Sequence, residues 1–318
     1  MLCTLFWTLE FDIRKAVDLK TEALAGLELK EERFWIYRRK IGDFWRLYRR
    51  SPLGKLGLGI VLSFVAVSAA APWIAPFDPF SFVGDPFLKP SSTHILGTDQ
   101  VGRDIFSRVI FGTRISLLVG LVASAMTIAM GSAVGLVSGY LGGRIDNLLM
   151  RITDLFIILP SLPLMLIMAS ILGKGVWNII IVITVIGWTP TARMVRSQTL
   201  SLKERPFTEA SRAIGSTDLH TIRRHIVPNV FPLVFANGML AIVDAILSEA
   251  GLSFLGFGDP SAPSWGMVLY FANTAGATVN GFWWYIVPPG ICIMLLVMGF
   301  AFVSYSTDQI LNPRLRRR

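Results

Sequence analysis

Between His94 and Arg108 the chain reads His-Ile-Leu-Gly-Thr-Asp-Gln-Val-Gly-Arg-Asp-Ile-Phe-Ser-Arg. Gly97 and Gly102 suit tight turns. Asp99 and Asp104 suit capping of backbone amides or ion pairs with Arg103 and Arg108. That chemistry predicts a self-bonded loop resting on helix ends, with Thr98 inside it. A metal site is poorly supported, because His94 stands alone and its spacing to Asp99 and Asp104 fits no ligand pattern. Two more carboxylates, Asp244 and Glu249, interrupt an apolar stretch. Ionisable groups in such a place are costly and face a cavity or a partner. Five residues apart, they point roughly 140° from each other around a helix and share no face. They suit a polar pathway or gate, or a helix–helix hydrogen bond near one end.

Reaction chemistry is sparse. His94, His220 and His225 fall in loops or at a helix end, and no nucleophile and base pair up inside an apolar run, which argues against an intramembrane enzyme. No GxxxxGK[ST] phosphate loop occurs, so the chain is not expected to hydrolyse ATP itself. Cys3 and Cys292, one near the start and one in an apolar run, make no disulfide framework.

Residues 193–228 carry a different kind of signal. Gly215 suits the left-handed residue that ends a short helix, and Ser216 or Thr217 suits the cap of a second one. Pro228 is expected to mark the end of that second helix and the start of span five. A helical hairpin of this kind between two apolar runs is either an ordinary surface feature or a lever that a soluble partner pushes.

The elements that must hold these groups follow from composition. The 318 residues are 53% hydrophobic and only 16% charged, with mean hydropathy +0.58. An average soluble domain carries about 25% charged residues, so a soluble enzyme is excluded, as is disorder. Apolar runs at 56–77, 115–143, 155–173, 175–192, about 225–257 and 282–305 are each near the length a bilayer core requires. The expectation is an all-α polytopic membrane protein with six transmembrane helices. Residues 260–281 are expected to form a loop with a short surface helix.

Charge orients it. Of the 30 lysines and arginines, 25 lie in residues 1–55, 142–153, 193–228 and the final tail. The positive-inside bias puts those segments and both termini in the cytoplasm, and leaves 78–112 and 258–281 as outer loops. The net charge of +9 is then a topology signal, and nucleic acid drops out as a partner. Residues 1–9 lack the basic lead and cleavage site of a signal peptide and are expected to be a cytoplasmic tail. Phe34, Tyr37, Ile41, Phe44, Trp45 and Tyr48 recur at helical spacing among arginines, as in a basic amphipathic helix on a membrane surface. Gly131, Gly135 and Gly139 recur every fourth residue and allow close helix packing. Pro160, Pro163 and Pro190 interrupt spans three and four.

These residues carry a resemblance. Glu209-Ala210-Ser211, Gly215 and Pro228 resemble the EAA loop of ABC importer permeases. Five further segments are similar to the peptide-importer branch. They are Leu96 to Asp104, Phe111 to Leu117, Glu249 to Gly256, Pro263-Ser264-Trp265-Gly266 and Asn312-Pro313-Arg314-Leu315. From about residue 45 onward the chain resembles the C-type permease subunit of a dipeptide/oligopeptide ABC importer. Ser211, Val227 and Asn312 depart from the usual alanine, leucine and aspartate, and the tail 1–44 has no family motif.

The resemblance implies a tail 1–54, a permease domain 55–308 with a cytoplasmic coupling loop 197–228, and a tail 309–318. It implies a multi-pass inner or plasma membrane protein that works with a homologous second permease subunit, two cytoplasmic ATP-binding subunits and an extracytoplasmic binding protein. ATP and magnesium would be bound by the ATPase partners, with no cofactor or metal in this chain. Phe207, Glu209, Ala210, Ser211, Gly215 and Pro228 would couple to an ATPase. Gly97, Thr98, Asp99, Gly102, Arg103, Asp104 and Trp265 would receive the binding protein. Asp244, Glu249 and Ser253 would serve the pathway or its gate. Within the resembling group the cargo is dipeptides, longer peptides, nickel chelates or oligosaccharides, and no residue here chooses. A secondary transporter would show inverted repeats, and none is visible.

Overall fold

A computed structural model describes residue 42 and residues 45–311. The chain divides into two units, residues 1–52 and 53–318. In the first, Trp45 and Tyr48 stack with ring centroids 5.9 Å apart on a helical turn, and the Arg49 guanidinium lies 5.3 Å from the Trp45 ring. The rest of the expected amphipathic helix, from Phe34 to Phe44, lies outside the described residues apart from Gly42, as does the 312–315 motif.

The second unit is helical. Its elements are α1 (Pro52–Ile74), α2 (Ile105–Leu141), α3 (Gly143–Ile158), α4 (Ser161–Leu172), α5 (Val176–Gly187) and α6 (Thr189–Lys203). They continue as α7 (Pro206–Ala213), α8 (Asp218–Thr221), a π turn (Ile222–Ile226), α9 (Val227–Phe254), α10 (Trp265–Thr274) and α11 (Trp283–Leu311). Four helical stretches are long and apolar enough to cross a membrane alone, and two bent pairs bring the number to six if each pair is one span.

Two expectations are corrected and a third is sharpened. The second span begins ten residues before the charge-free run, at Ile105, because Asp104 caps it. Its arginines are satisfied inside the fold: Arg108 pairs with Asp99 at 2.8 Å, and Arg114 donates to the carbonyls of Ser68 and Ala69 at 2.6 and 3.1 Å. At 37 residues, α2 is about 55 Å long and overruns a core of about 30 Å. Spans three and four are interrupted, as their prolines lead one to expect, and what is new is the sharpness of the bends. α3 and α4 meet at 95° and α5 and α6 at 41°. Leu159 is extended (φ −75°, ψ 133°) because the ring of Pro160 disfavours the helical conformation in the residue before it. Finally, Pro228 does not end the second hairpin helix. α8, the π turn and α9 form one stretch from Asp218 to Phe254. Pro228 sits in the first turn of α9, where its missing N–H is tolerated. The amide of Val227 reaches back five residues to the carbonyl of Ile222, which closes the widened turn ahead of the proline.

α2 is the spine. Its first third packs Ile105, Val109 and Leu117 against α9, α10 and α11, with Trp265 and Tyr285 fully buried. Its middle packs Val119 and Ala123 against α4 and α5. Its last turns place Tyr140 with Val195, Leu202, Ile226 and Val230. The glycine ladder packs inside the chain. A Cβ at Gly135 would stand 2.5 Å from the Ala192 carbonyl oxygen, and those at Gly131 and Gly139 would meet Thr191 and Thr199 on α6 equally closely. Only hydrogen side chains let these two backbones approach so far.

Candidate functional site

At the N-terminal end of α2 the expected self-bonded loop is present. Asp99 accepts from Arg103 Nε at 2.9 Å and Arg108 Nη1 at 2.8 Å, and its other oxygen takes the amides of Val101 and Arg103. Asp104 takes the amide and hydroxyl of Ser107 at 2.8 and 2.7 Å. His94 does not stand alone: its Nδ1 lies 3.0 Å from Asp104 Oδ1. Thr98 Oγ1 donates to the Asp85 carbonyl at 2.6 Å and accepts from the Leu88 amide. Both arginine guanidinium groups face the Phe271 ring of α10. At Gly97 and Gly102, φ is +69° and +84°, and a Cβ at either would strike a carbonyl oxygen at 2.1 Å.

This geometry shows where the residues assigned to docking lie. Gly97, Thr98, Asp99, Gly102, Asp104 and Trp265 are buried, and Arg103 is half-buried. Apart from Arg103, these side chains have little or no accessible surface and brace the loop from beneath. The groups that reach outward are their neighbours Ile95 and Val101, with Phe82 and Val279 on nearby segments of the chain. The charges here are consumed by one another, as expected of a self-bonded loop.

Glu249 is also internal. Its carboxylate accepts from Ser253 Oγ at 2.7 Å and Ser116 Oγ at 3.4 Å. Ser116 Oγ in turn accepts from the Trp265 amide, and Trp265 Nε1 donates to the Val109 carbonyl at 2.9 Å. Glu249 and Ser253 thus join α9, α2 and the start of α10. Asp244 lies on another face, as the spacing requires. It borders a cavity of about 570 Å³ at the α3–α4 bend, whose wall also includes Thr127, Phe156, Met165, Asn237 and Ser248. Neither Glu249 nor Ser253 lines that cavity. The structure therefore separates Asp244 from the Glu249–Ser253 pair, although the sequence places all three within ten positions.

At the other end of α2, α7 and α8 form the expected hairpin. Gly215 has φ +84°, and Thr217 Oγ1 caps α8 by accepting from the His220 amide at 3.3 Å. Thr208 and Ser211 are buried, and Thr208 Oγ1 donates to the Leu202 carbonyl at 2.8 Å. Phe207, Glu209, Ala210, Gly215 and Pro228 are exposed. Of the residues assigned to coupling, Ser211 alone is buried. Two exposed apolar residues were not singled out in the sequence. Ile214 is 84% exposed and Leu219 74%, and they flank Gly215. Their signal was position: each lies within four residues of Gly215.

The hairpin is tied down. Tyr140 OH donates to Asp218 Oδ1 at 2.7 Å, and the Arg212 guanidinium lies 5.1 Å from the Tyr140 ring. Nearby, Arg196 Nε and Nη2 grip both oxygens of Asp146 at 2.6 Å, joining α3 to α6, and Ser138 of α2 donates to the same carboxylate.

Comparison with known proteins agrees with this architecture. Residues 131–317 match the model of the binding-protein-dependent transport system inner membrane component, and residues 41–90 match the N-terminal TM domain of oligopeptide transport permease C. The dipeptide transport system permease protein DppC of Bacillus subtilis is 35% identical over 86% of each chain. The probable D,D-dipeptide transport system permease protein DdpC of Escherichia coli K12 is 35% identical over 85% of this chain and 90% of its own. The glutathione transport system permease protein GsiD of Escherichia coli O157:H7 is 35% identical over 86% and 90%. This chain belongs to the binding-protein-dependent transport system inner membrane component family.

Proposed function

We propose that the chain is one permease subunit of an ATP-driven importer of dipeptides or oligopeptides and forms half of the translocation pathway. Three relatives named for dipeptide, D,D-dipeptide and glutathione transport support a small-peptide cargo. The lysine and arginine distribution supports cytoplasmic termini and a cytoplasmic α7–α8 hairpin. A homologous second permease would complete the pathway, two ATP-binding subunits would supply energy, and an external binding protein would deliver cargo.

The observation that carries the coupling role is the build of the hairpin. It exposes Phe207, Glu209, Ala210, Ile214 and Leu219, yet it continues without a break into α9. Contiguous exposed apolar groups mark an interaction surface. A rigid push on α7 would pass through α8 and the π turn to α9, the helix that carries Asp244. That is the behaviour of an element shared by two rigid-body arrangements. Ser211 and Pro228 support this from within, one by packing and one by shaping the turn. Asp244 would serve the pathway, while Glu249 and Ser253 would hold α10 at its outer gate.

The test is co-purification and uptake. The chain, its second permease and the ATPase pair should form a complex that accumulates a dipeptide in proteoliposomes only with ATP and binding protein. Failure of the purified ATPase subunits to bind this chain with its second permease would refute the coupling role.

A further inference from the structure

Two carboxylates lie five residues apart in α9 and are treated in opposite ways. Glu249 is fully enclosed and met by serine hydroxyls. Asp244 has no ion-pair or hydrogen-bond partner among the described residues and is the one charged group on the wall of the 570 Å³ cavity. It stands ten residues before the end of α9, about 15 Å along the helix and so near the middle of a bilayer core. A carboxylate at that depth is costly unless something meets it.

The cavity has further marks of a site. Asn237, Asp244 and Ser248 all line it and fall within about 40° of one another around the helix, making one polar stripe on α9. Opposite them, Thr127 of α2 is 5% exposed and its hydroxyl has no partner. Buried hydroxyls are almost always bonded, so this one is held ready for a ligand or water. The remaining wall is mostly apolar, with Phe156, Met165 and Ile183. The volume falls within the range of about 300–1,000 Å³ typical of small-molecule sites.

We propose that this cavity is a transient site for a peptide bearing a protonated amine, with Asp244 receiving the ammonium group and the apolar wall accepting varied side chains. The proposal rests on the importer reading above. A single carboxylate favours an organic cation over a metal ion, and among the described residues no cluster of three metal-binding side chains occurs.

The test uses the complete complex in nanodiscs and proteoliposomes. Dicyclohexylcarbodiimide modification of Asp244, read by mass spectrometry, should be slowed by Ala-Ala and left unchanged by N-acetyl-Ala-Ala at the same concentration. In parallel, Asp244→Asn should lower ATP-driven uptake of Ala-Ala about tenfold, the worth of one charged hydrogen bond. Assembly and binding-protein-stimulated ATP hydrolysis should persist, and Asp244→Glu should recover part of the uptake. Equal protection by both peptides, protection by neither, or unchanged uptake would overturn the site while leaving the importer intact. Disassembly of the Asp244→Asn complex would also overturn it, since Asp244 would then be paired with a cation of the second subunit. A wild-type complex that accumulates no Ala-Ala would overturn the peptide-importer reading itself.

Discussion

The hydroxyl of Tyr140 donates a 2.7 Å hydrogen bond to Asp218 Oδ1, so the last turn of α2 holds the first turn of α8. Because α8 runs on into α9, this bond closes a loop between two long helices that are also packed along their length. The hairpin is therefore seated on the bundle rather than hung from it.

Tyr140→Phe keeps the ring beneath Arg212 and removes only the bond. About 1 kcal/mol of local stability is expected to be lost. ATP hydrolysis by the assembled complex should continue while the amount of peptide moved per ATP falls. Parallel measurement of phosphate release and uptake checks this.

Glu209→Lys reverses the exposed acidic charge on α7, and Gly215→Asp forces a side chain onto a left-handed residue, at about 1–2 kcal/mol. Each is expected to abolish uptake while the permease pair still assembles, as read by affinity co-purification. Unchanged transport in these variants would refute the coupling role.

Gly135→Leu would drive a side chain into the Ala192 carbonyl and Val195, where a Cβ already stands 2.5 and 2.8 Å away. Overpacking of this kind costs about 1–3 kcal/mol. A lower thermal midpoint in detergent is expected, with Gly135→Ala intermediate. Equal midpoints would show that α2 and α6 are not in close contact.

Asp99→Ala leaves the buried Arg108 without its carboxylate, a loss of about 3–5 kcal/mol for a broken buried pair. The protein should fail to accumulate in membranes. Val101→Glu, on the exposed rim of the same loop, should leave protein levels unchanged and weaken stimulation of ATP hydrolysis by the binding protein. If both variants behave alike, the division between internal frame and exposed landing surface is wrong.

Much of the fold was legible because hydropathy and charge act on a long scale. Apolar runs lie within the helical stretches long and apolar enough to cross a membrane, Gly215 marked a helix stop, and pairing with Arg103 and Arg108 was one of the two roles open to Asp99. What stayed hidden depends on which way a side chain turns. The letters do not say that Asp99, Asp104 and Trp265 are fully buried, with the exposed surface left to Ile95 and Val101. Pro228 reads as a breaker, and the π turn before it makes it a continuation. Pro160 was visible as an interruption, but a 95° bend needs the extended Leu159 as well. Asp244 and Glu249 were separable by angle in advance, and only packing revealed which one is enclosed.

The most direct measurement is ATP-driven dipeptide uptake by proteoliposomes holding the chain, its second permease and the ATPase pair, with and without Glu209→Lys. Accumulation is predicted only with ATP and binding protein, and it should vanish in the variant. Uptake by the permease chains alone, driven by a proton gradient and indifferent to Glu209→Lys, would contradict the account.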